Sequence, residues 1–286
     1  MSIKVSAVLL GAVISAAAVT FTPIGRHYSS MAVAQLAKAE AALSGHVPVA
    51  KPGRTSAQAG AFAACPQFFY GGTPPEVPNA AVWQPRALCF SAFAVYHAGL
   101  SHTPLFVAER LNKAQLLDAK DEQRTNRFYA DARLPAAERA NLDDYKSSGY
   151  DRGHMAPAGD MPTPEAMAQS FSLANMVPQA PDNNRGVWAK SVEKAVRKYV
   201  MRAAGDVYVI TGPVFADKQS ADANMQRVWV PSALYKLVYD PMTNKAWAYW
   251  LENRNDARLN GVISYKELVE RTGMNLLPQL QRGEPA

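Results

Sequence analysis

The sequence predicts an α+β fold whose core is a central antiparallel sheet flanked by helices. The chain has 286 residues, of which 48% are hydrophobic and 19% charged, so it can bury a substantial core. Helical spacing of apolar residues does not alternate regularly with the predicted strands, which argues against a doubly wound parallel sheet. Apolar runs rich in β-branched and aromatic residues predict strands at 88–96, 104–109, 207–211, 228–238 and 246–251.

The N-terminal segment predicts export. Lys4 precedes an apolar run over residues 5–22 that contains several alanines and ends before Pro23. Such a run is typical of a secretory signal peptide, and it is also nearly long enough to be an uncleaved membrane anchor. We expect export to the periplasm, the medium or the outer face of the membrane. The predicted parts are a signal peptide or N-terminal membrane anchor (1–25), an Ala-, Gly- and Pro-rich linker (26–60) and a folded domain (61–286).

The only two cysteines are Cys65 and Cys89. In an oxidising compartment they can form a disulfide, which typically contributes about 2–4 kcal/mol of stability. They do not form a Cys-x-x-Cys pattern, so the sequence does not support a structural zinc site or a thioredoxin-like redox site. The expected export favours a disulfide over two buried thiols.

A basic amphipathic helix is predicted over residues 187–202. A charged stripe on a helix is usually a solvated face. Here five bases accompany a single acid, Glu193, in a chain with a formal net charge of +6, and this favours a surface that contacts phosphate groups. We expect Lys190, Lys194 and the preceding Arg185 to bind phosphate. The apolar stripe consists of Trp188, Val192, Ala195 and Tyr199, and the basic stripe of Lys190, Lys194, Arg197, Lys198 and Arg202.

The segment Asp151-Arg152-Gly153-His154 is the main candidate for a functional site. By itself, such a segment fits a solvated turn as well as a site. An imidazole with an ordinary pKa near 6.5 can, however, accept a proton from water at neutral pH. Asn184 follows thirty residues later, and its carbonyl oxygen suits a hard cation such as Mg²⁺, which retains several waters. Arg127 lies upstream and offers a permanent planar charge to a phosphate.

These residues, in this order, resemble the signature of the DNA/RNA non-specific endonucleases, a family with a ββα-metal (His-Me finger) site. The resemblance extends over roughly residues 65–280, most of the chain outside the N-terminal segment. Further matches are Asn175-x-x-Pro178-Gln179, Asn184, Trp188 and the segment 209–213.

The resemblance implies an endonuclease that hydrolyses phosphodiester bonds of DNA, with RNA as a further substrate, and that leaves 5′-phosphate ends. It also implies Mg²⁺, or Mn²⁺, as the cofactor and a homodimer as one form of the protein. Two alternatives stay open, a catalytically inactive nucleic-acid-binding module of the same fold and a metallo-phosphoesterase acting on another substrate. The implied roles are general base for His154, direct metal ligand for Asn184, transition-state stabilisation for Arg127, phosphate binding for Arg152 and orientation of the motif for Asp151.

One position departs from the family pattern. The family usually has a glutamate four residues after the tryptophan, where it helps to hold metal-bound water. Here that position is Val192, and Glu193 follows one residue later. One extra residue in an α-helix rotates a side chain by about 100°. Glu193 can therefore contribute to a metal site only if the helix contains a local bulge or realignment.

Overall fold

A seven-stranded antiparallel sheet organises the part of the chain that the computed structural model describes, residues 60–216, 225 and 227–280. The predicted α+β fold with a central antiparallel sheet is confirmed. In spatial order the strands are β1 (Pro85–Cys89), β2 (Phe93–Ala98), β3 (Thr103–Leu111), β6 (Val207–Val214), β7 (Ala233–Asp240), β8 (Lys245–Glu252) and β9 (Ile263–Ser264). A separate antiparallel pair consists of β4 (Asp151–His154) and β5 (Met176–Gln179).

Among the described residues, four helical segments longer than five residues accompany these strands, besides six short 3₁₀ segments. Three of the four begin after a side-chain cap: the Thr163 hydroxyl, for example, accepts a hydrogen bond from the backbone nitrogen of Ala166. They are α1 (Lys113–Asp118), α2 (Pro164–Ser170), α3, which runs through Asn183–Glu193 and continues through Lys194–Val200, and α4 (Tyr265–Thr272).

The helix α3 differs in detail from the predicted amphipathic helix. Its first part, Asn183–Glu193, has wide π-type turns, and the backbone departs from helical geometry at Gly186 (φ −100°, ψ −107°). The predicted stripe through Ala195 and Tyr199 is wrong, because these two residues are only half-buried. The buried side chains recur every four residues, at Trp188, Val192, Val196 and Val200.

Both faces of the large sheet are covered. Along β7, Tyr235 and Leu237 pack on one face with the segments that precede β1 and follow β9. Leu234 and Val238 pack on the opposite face against β4, β5 and α3. Burial on both faces explains why the strands appear in the sequence as continuous apolar runs instead of alternating ones. The small strand pair therefore rests on a rigid support.

The strand β6 extends beyond its predicted end at Thr211. Proline lacks a backbone N–H and is tolerated in a strand only where that donor is not needed. Pairing of β6 with β3 ends at Thr211, whereas pairing with β7 continues through Pro213 and Val214. Pro213 thus lies where one side of β6 has become an edge, and the strand can continue through it.

Cys65 and Cys89 form the disulfide that the sequence favours, with Cα atoms 5.8 Å apart. The bond joins the segment before β1 to the last residue of that edge strand. The predicted signal peptide or anchor (1–25) and residues 26–59 of the linker lie outside the described residues. None of the helices described here is long and apolar enough to cross a membrane.

Candidate active site

The Asp151–His154 motif is an ordered strand, not a solvated turn. It forms β4 and pairs with β5 from Asp151 opposite Gln179 to His154 opposite Met176. The Gln179 side chain crosses the middle of this pair. A Cβ atom at Gly153 would lie 2.1 Å from the Gln179 Oε1 atom, so a larger residue does not fit at this position. The glycine of the motif is therefore needed for close packing.

His154 lies in an apolar enclosure. Only 7% of the residue is exposed, and its ring centroid is 5.0 Å from that of Phe171 and 5.8 Å from that of Phe128. Its Nε2 atom is buried and has no hydrogen-bond partner among the described residues. Burial, with a smaller contribution from the nearby Arg124 charge, lowers the pKa of His154 to about 3. The imidazole is therefore neutral at physiological pH and able to accept a proton.

The backbone that follows His154 is held by Asn175. The Asn175 side chain accepts a hydrogen bond from the Ala156 nitrogen at 2.9 Å and donates to the Ala156 and Ser170 oxygens at the same distance. The Asn175 carbonyl also accepts from the Met155 nitrogen at 3.0 Å. Because these groups are buried, their hydrogen bonds fix the end of β4 in one conformation.

Asp151 connects β4 to the start of α3. Its Oδ2 atom accepts hydrogen bonds from Asn184 Nδ2 at 2.9 Å and from Arg185 Nε at 2.7 Å, and a second bond from Arg185 reaches Oδ1. The amide nitrogen of Asn184 is thereby engaged, which orients its oxygen as the atom available to a cation. Asp151 thus orients Asn184 itself, a more specific role than orientation of the motif strand alone.

The donor set at this point fits a hard divalent cation. Such an ion prefers oxygen ligands and tends to keep several waters, so a single amide oxygen can anchor it directly. Asn184 offers that oxygen, and Glu193 adds a carboxylate on the same helix. Among the described residues, no group of three or more histidines, cysteines, aspartates or glutamates could hold a metal ion. The arrangement suits an ion bound largely through water.

The wide turns of α3 bear directly on Glu193. A π-type turn contains more residues than an α-helical turn, so it can absorb the one extra residue between Trp188 and Glu193. Val192, at the position where the family has its glutamate, is fully buried in the core beside Trp188. Glu193 instead lies near Arg124 and Arg197. Burial raises the pKa of Glu193, and the charges of Lys236 and Arg197 oppose that rise.

A positively charged cleft borders β4 and the start of α3. It has a volume of about 500 Å³, and its walls carry four cationic side chains, Arg124, Lys146, Arg152 and Arg185, against the two carboxylates of Asp143 and Asp151. Arg152 is held in place because its guanidinium lies 4.1 Å from the centre of the Phe128 ring. Asn184 also lines this cleft, which is suited to a polyanion.

Arg124 is an upstream arginine that lines this cleft, whereas the predicted Arg127 does not. The Arg124 guanidinium lies 5.2 Å from the centre of the Phe171 ring, which also contacts His154. Arg127 is exposed and does not line the cleft. Asn126 lies between the two arginines with a left-handed backbone (φ 52°), which turns the chain and separates their directions. Arg127 thus lies outside this cleft, and its catalytic role stays a prediction.

Alanine substitutions at the two arginines test this assignment. We expect Arg124→Ala to lower the kcat/KM of phosphodiester cleavage on the order of 10²-fold, because a charge aimed at the reacting group is lost. We expect Arg127→Ala, a matched loss of one exposed arginine, to change kcat/KM by less than about threefold. Steady-state cleavage of a labelled oligonucleotide measures both. A larger loss for Arg127→Ala than for Arg124→Ala would contradict the assignment.

The basic residues further along α3 are divided between surface and interior. Lys190 and Lys194 are exposed but do not line the cleft, so their contact with phosphate stays a prediction. Arg197 turns inward, with its Nη1 atom 3.0 Å from Asp160 and 3.7 Å from Glu193. The expectation that Arg197 belongs to an exposed phosphate-binding stripe is therefore wrong, because two buried carboxylates hold it inside.

The chain resembles known nucleases in sequence and in structure. A family model described as DNA/RNA non-specific endonuclease matches residues 76–283. Mitochondrial nuclease EXOG of Homo sapiens is 33% identical over 163 residues, which cover 54% of this chain and 44% of that protein. A nuclease of Nostoc sp. is 34% identical over 201 residues, which cover 65% of this chain and 70% of that protein.

A solved structure of an EndoG/EndoGI complex has the same fold. The superposition gives a TM-score of 0.60 at 26% identity and covers 68% of this chain and 87% of that chain. The chain spans about half the length of most of the curated relatives it matches, from 40% to 52% for four of them. The family model nevertheless covers most of the sequence, including every residue of the site described above. The chain belongs to the DNA/RNA non-specific endonuclease family.

Proposed function

We propose that the protein is a divalent-metal-dependent endonuclease that hydrolyses phosphodiester bonds of DNA and RNA and leaves 5′-phosphate ends. The observation that carries this proposal is the junction of β4 with α3. There the Asp151 carboxylate of the motif orients Asn184 at the wall of a cationic cleft. His154 lies on the same short strand, three residues from Asp151. The oxygen ligand for a cation and the arginines for a phosphate line one cleft, and His154 lies behind its wall in contact with Phe128, the ring that also packs against Arg152.

Each of these residues has a separate role in the hydrolysis of the phosphodiester bond. The neutral imidazole of His154 accepts the proton of the attacking water. Arg124 and Arg152, both packed against aromatic rings, hold the phosphate and stabilise the negative charge that develops on it. Asn184 would hold the cation directly, and Glu193 would contribute only through metal-bound water. When bound, Mg²⁺ or Mn²⁺ stabilises the charge on the phosphate and on the leaving oxygen.

Low sequence preference follows from the character of the cleft. Its walls present mainly charged groups, and contacts to phosphate position a nucleic acid without reading its bases. The same contacts are available in DNA and RNA, which supports both as substrates.

We place the reaction outside the cytoplasm. The Cys65–Cys89 disulfide suits an oxidising compartment, and the apolar segment 5–22 suits export or anchoring to a membrane. The homodimer stays a prediction that rests on the family.

Cleavage of supercoiled plasmid and of a labelled RNA tests the proposal. We expect the purified protein to cleave both with Mg²⁺ and to stop when a chelator is added in excess. Product ends should accept labelled phosphate from a kinase only after phosphatase treatment, because they already carry a 5′-phosphate. The His154→Ala variant should fold and bind DNA but cleave it on the order of 10²–10⁴-fold more slowly.

Each alternative predicts a different result in the same experiment. DNA binding by the wild-type protein without cleavage would support an inactive binding module. Hydrolysis of a small phosphodiester with no cleavage of nucleic acid would support a metallo-phosphoesterase. Cleavage that persists in excess chelator would contradict the dependence on a metal.

A further inference from the structure

The large sheet contains a buried ionic pair beneath the catalytic strand. Lys236 of β7 is 1% exposed and Glu109 of β3 is fully buried. The Lys236 Nζ atom lies 4.0 Å from Glu109 Oε2, and neither carboxylate oxygen of Glu109 has a hydrogen-bond partner among the described residues. Burying a lysine in an otherwise apolar sheet is costly. Packing alone does not require the Lys236–Glu109 pair, so the pair needs a separate explanation.

The lysine is aimed at the backbone next to His154. Its Nζ atom donates to the Thr211 hydroxyl at 2.6 Å and to the Met155 carbonyl oxygen at 3.2 Å. Thr211 lies directly opposite Lys236 in the pairing of β6 with β7, so a neighbouring strand holds the ammonium in place. Met155 immediately follows His154. Lys236 thus connects the rigid sheet to the peptide that ends β4.

This bond completes the restraint of the peptide after His154. Asn175 binds the nitrogen side of Met155 and both backbone groups of Ala156, whereas Lys236 binds the Met155 oxygen. Among the described residues, the His154 ring packs against Phe128 and Phe171, and its Nε2 atom has no hydrogen-bond partner that would fix its rotation. Its position therefore depends on the backbone from which it projects.

Resting on the proposed function, we propose that Lys236 is a positioning residue that sets the location of His154 through the Met155 carbonyl. Lys236 is buried and does not line the cleft. Its removal should impair the chemical step and leave substrate binding intact. A displacement of about 1 Å at a catalytic group can lower a rate on the order of 10²-fold.

The test separates positioning from stability. Lys236→Met alone leaves the Glu109 carboxyl buried without its cation, so we expect a lower Tm. Combining it with Glu109→Leu replaces the pair by apolar groups and should restore the Tm. In this double variant we expect kcat for DNA cleavage to remain about 10–100-fold below wild type, with KM within about twofold. Thr211→Val removes one partner of Lys236 but keeps the Met155 contact, so we expect a loss of kcat smaller than that of the double variant.

A second readout does not require activity. In ¹⁵N-labelled protein, the imidazole resonances of His154 should shift in the double variant, whereas those of His97 and His102 should not. A double variant with wild-type Tm, wild-type kcat and unshifted His154 resonances would overturn the inference. An inactive wild-type protein would contradict the proposed function instead, and the His154 resonances would then decide the role of Lys236.

Discussion

Replacing His154 by alanine should lower kcat on the order of 10²–10⁴-fold while the protein remains folded, because the group that accepts the proton of water is lost. The side chain makes no hydrogen bond through Nε2 to a described residue, so its removal leaves no buried partner unpaired. Added imidazole should restore part of the activity, since it can enter the space between Phe128 and Phe171. Plasmid cleavage with and without imidazole measures both effects.

The pH dependence of DNA cleavage should differ between the wild-type protein, whose base is His154, and the His154→Ala variant restored by free imidazole. Burial lowers the pKa of His154 to about 3, so the wild-type imidazole stays unprotonated as the pH falls from 7 to 5. An ordinary histidine, with a pKa near 6.5, would be only about 3% neutral at pH 5. Wild-type activity should therefore not lose the roughly 30-fold that protonation of an ordinary histidine would cause. Activity restored by free imidazole, which titrates near neutral pH, should fall over that range. If the pH–activity profiles of the wild-type protein and of the imidazole-restored variant were parallel, they would contradict a buried neutral base.

The predicted site residues that the structure places at the junction of β4 with α3 share one property. Asp151, His154 and Asn184 belong to segments whose backbone is regular, a strand and a helix start, so a linear motif determines where their side chains point. Gly153 and Asn175 extend this agreement, because the first is required by the close approach of Gln179 and the second by the backbone groups it satisfies. Motif residues of this kind encode local geometry directly.

The position of Arg124 at the cleft could not be predicted because its segment is irregular. Residues 122–128 form neither a helix nor a strand, so no periodicity relates the direction of Arg124 to that of Arg127. The signal that could have found Arg124 is its spacing from Phe128, whose ring borders both Arg152 and His154. Because this ring already contacts two site residues, a side chain close to it in the sequence, such as Arg124, is a candidate for the same site.

The register of α3 and the buried lysine depend on tertiary contacts. An α-helical spacing of 3.6 residues places Glu193 about 100° from the family's glutamate, and only wide turns can absorb the extra residue. Lys236 interrupts an apolar run, and a single charge in such a run is usually assigned to an exposed position. Its burial is possible because Thr211, Glu109 and the Met155 carbonyl converge from three other segments. The spacing of residues in the sequence does not predict these contacts.

Exchanging Asp151 and Asn184 should separate the orienting role of the first from the metal-binding role of the second. In Asn184→Asp, two carboxylates replace a hydrogen bond of 2.9 Å, and their repulsion should displace the metal ligand. In Asp151→Asn, the ion pair with Arg185 is lost and Asn184 is held less firmly. We expect a loss of about 10–100-fold for Asp151→Asn, as is typical when the partner of a metal ligand is removed. For Asn184→Ala we expect a loss on the order of 10³-fold, since several kcal/mol of charge stabilisation depend on the ion.

The double variant Asp151→Asn with Asn184→Asp recreates the hydrogen bond with donor and acceptor reversed, because the new amide donates to the new carboxylate. We expect it to be more active than Asn184→Asp alone, and to need less Mg²⁺ for half-maximal cleavage than that single variant, because a carboxylate oxygen now serves the cation. Asp118→Asn, the same charge change on an exposed position of α1, should leave the Mg²⁺ dependence at the wild-type level. If the loss of activity in the double variant instead equals the product of the losses in the two single variants, Asp151 and Asn184 act independently. The junction of β4 with α3 would then not assemble the metal site.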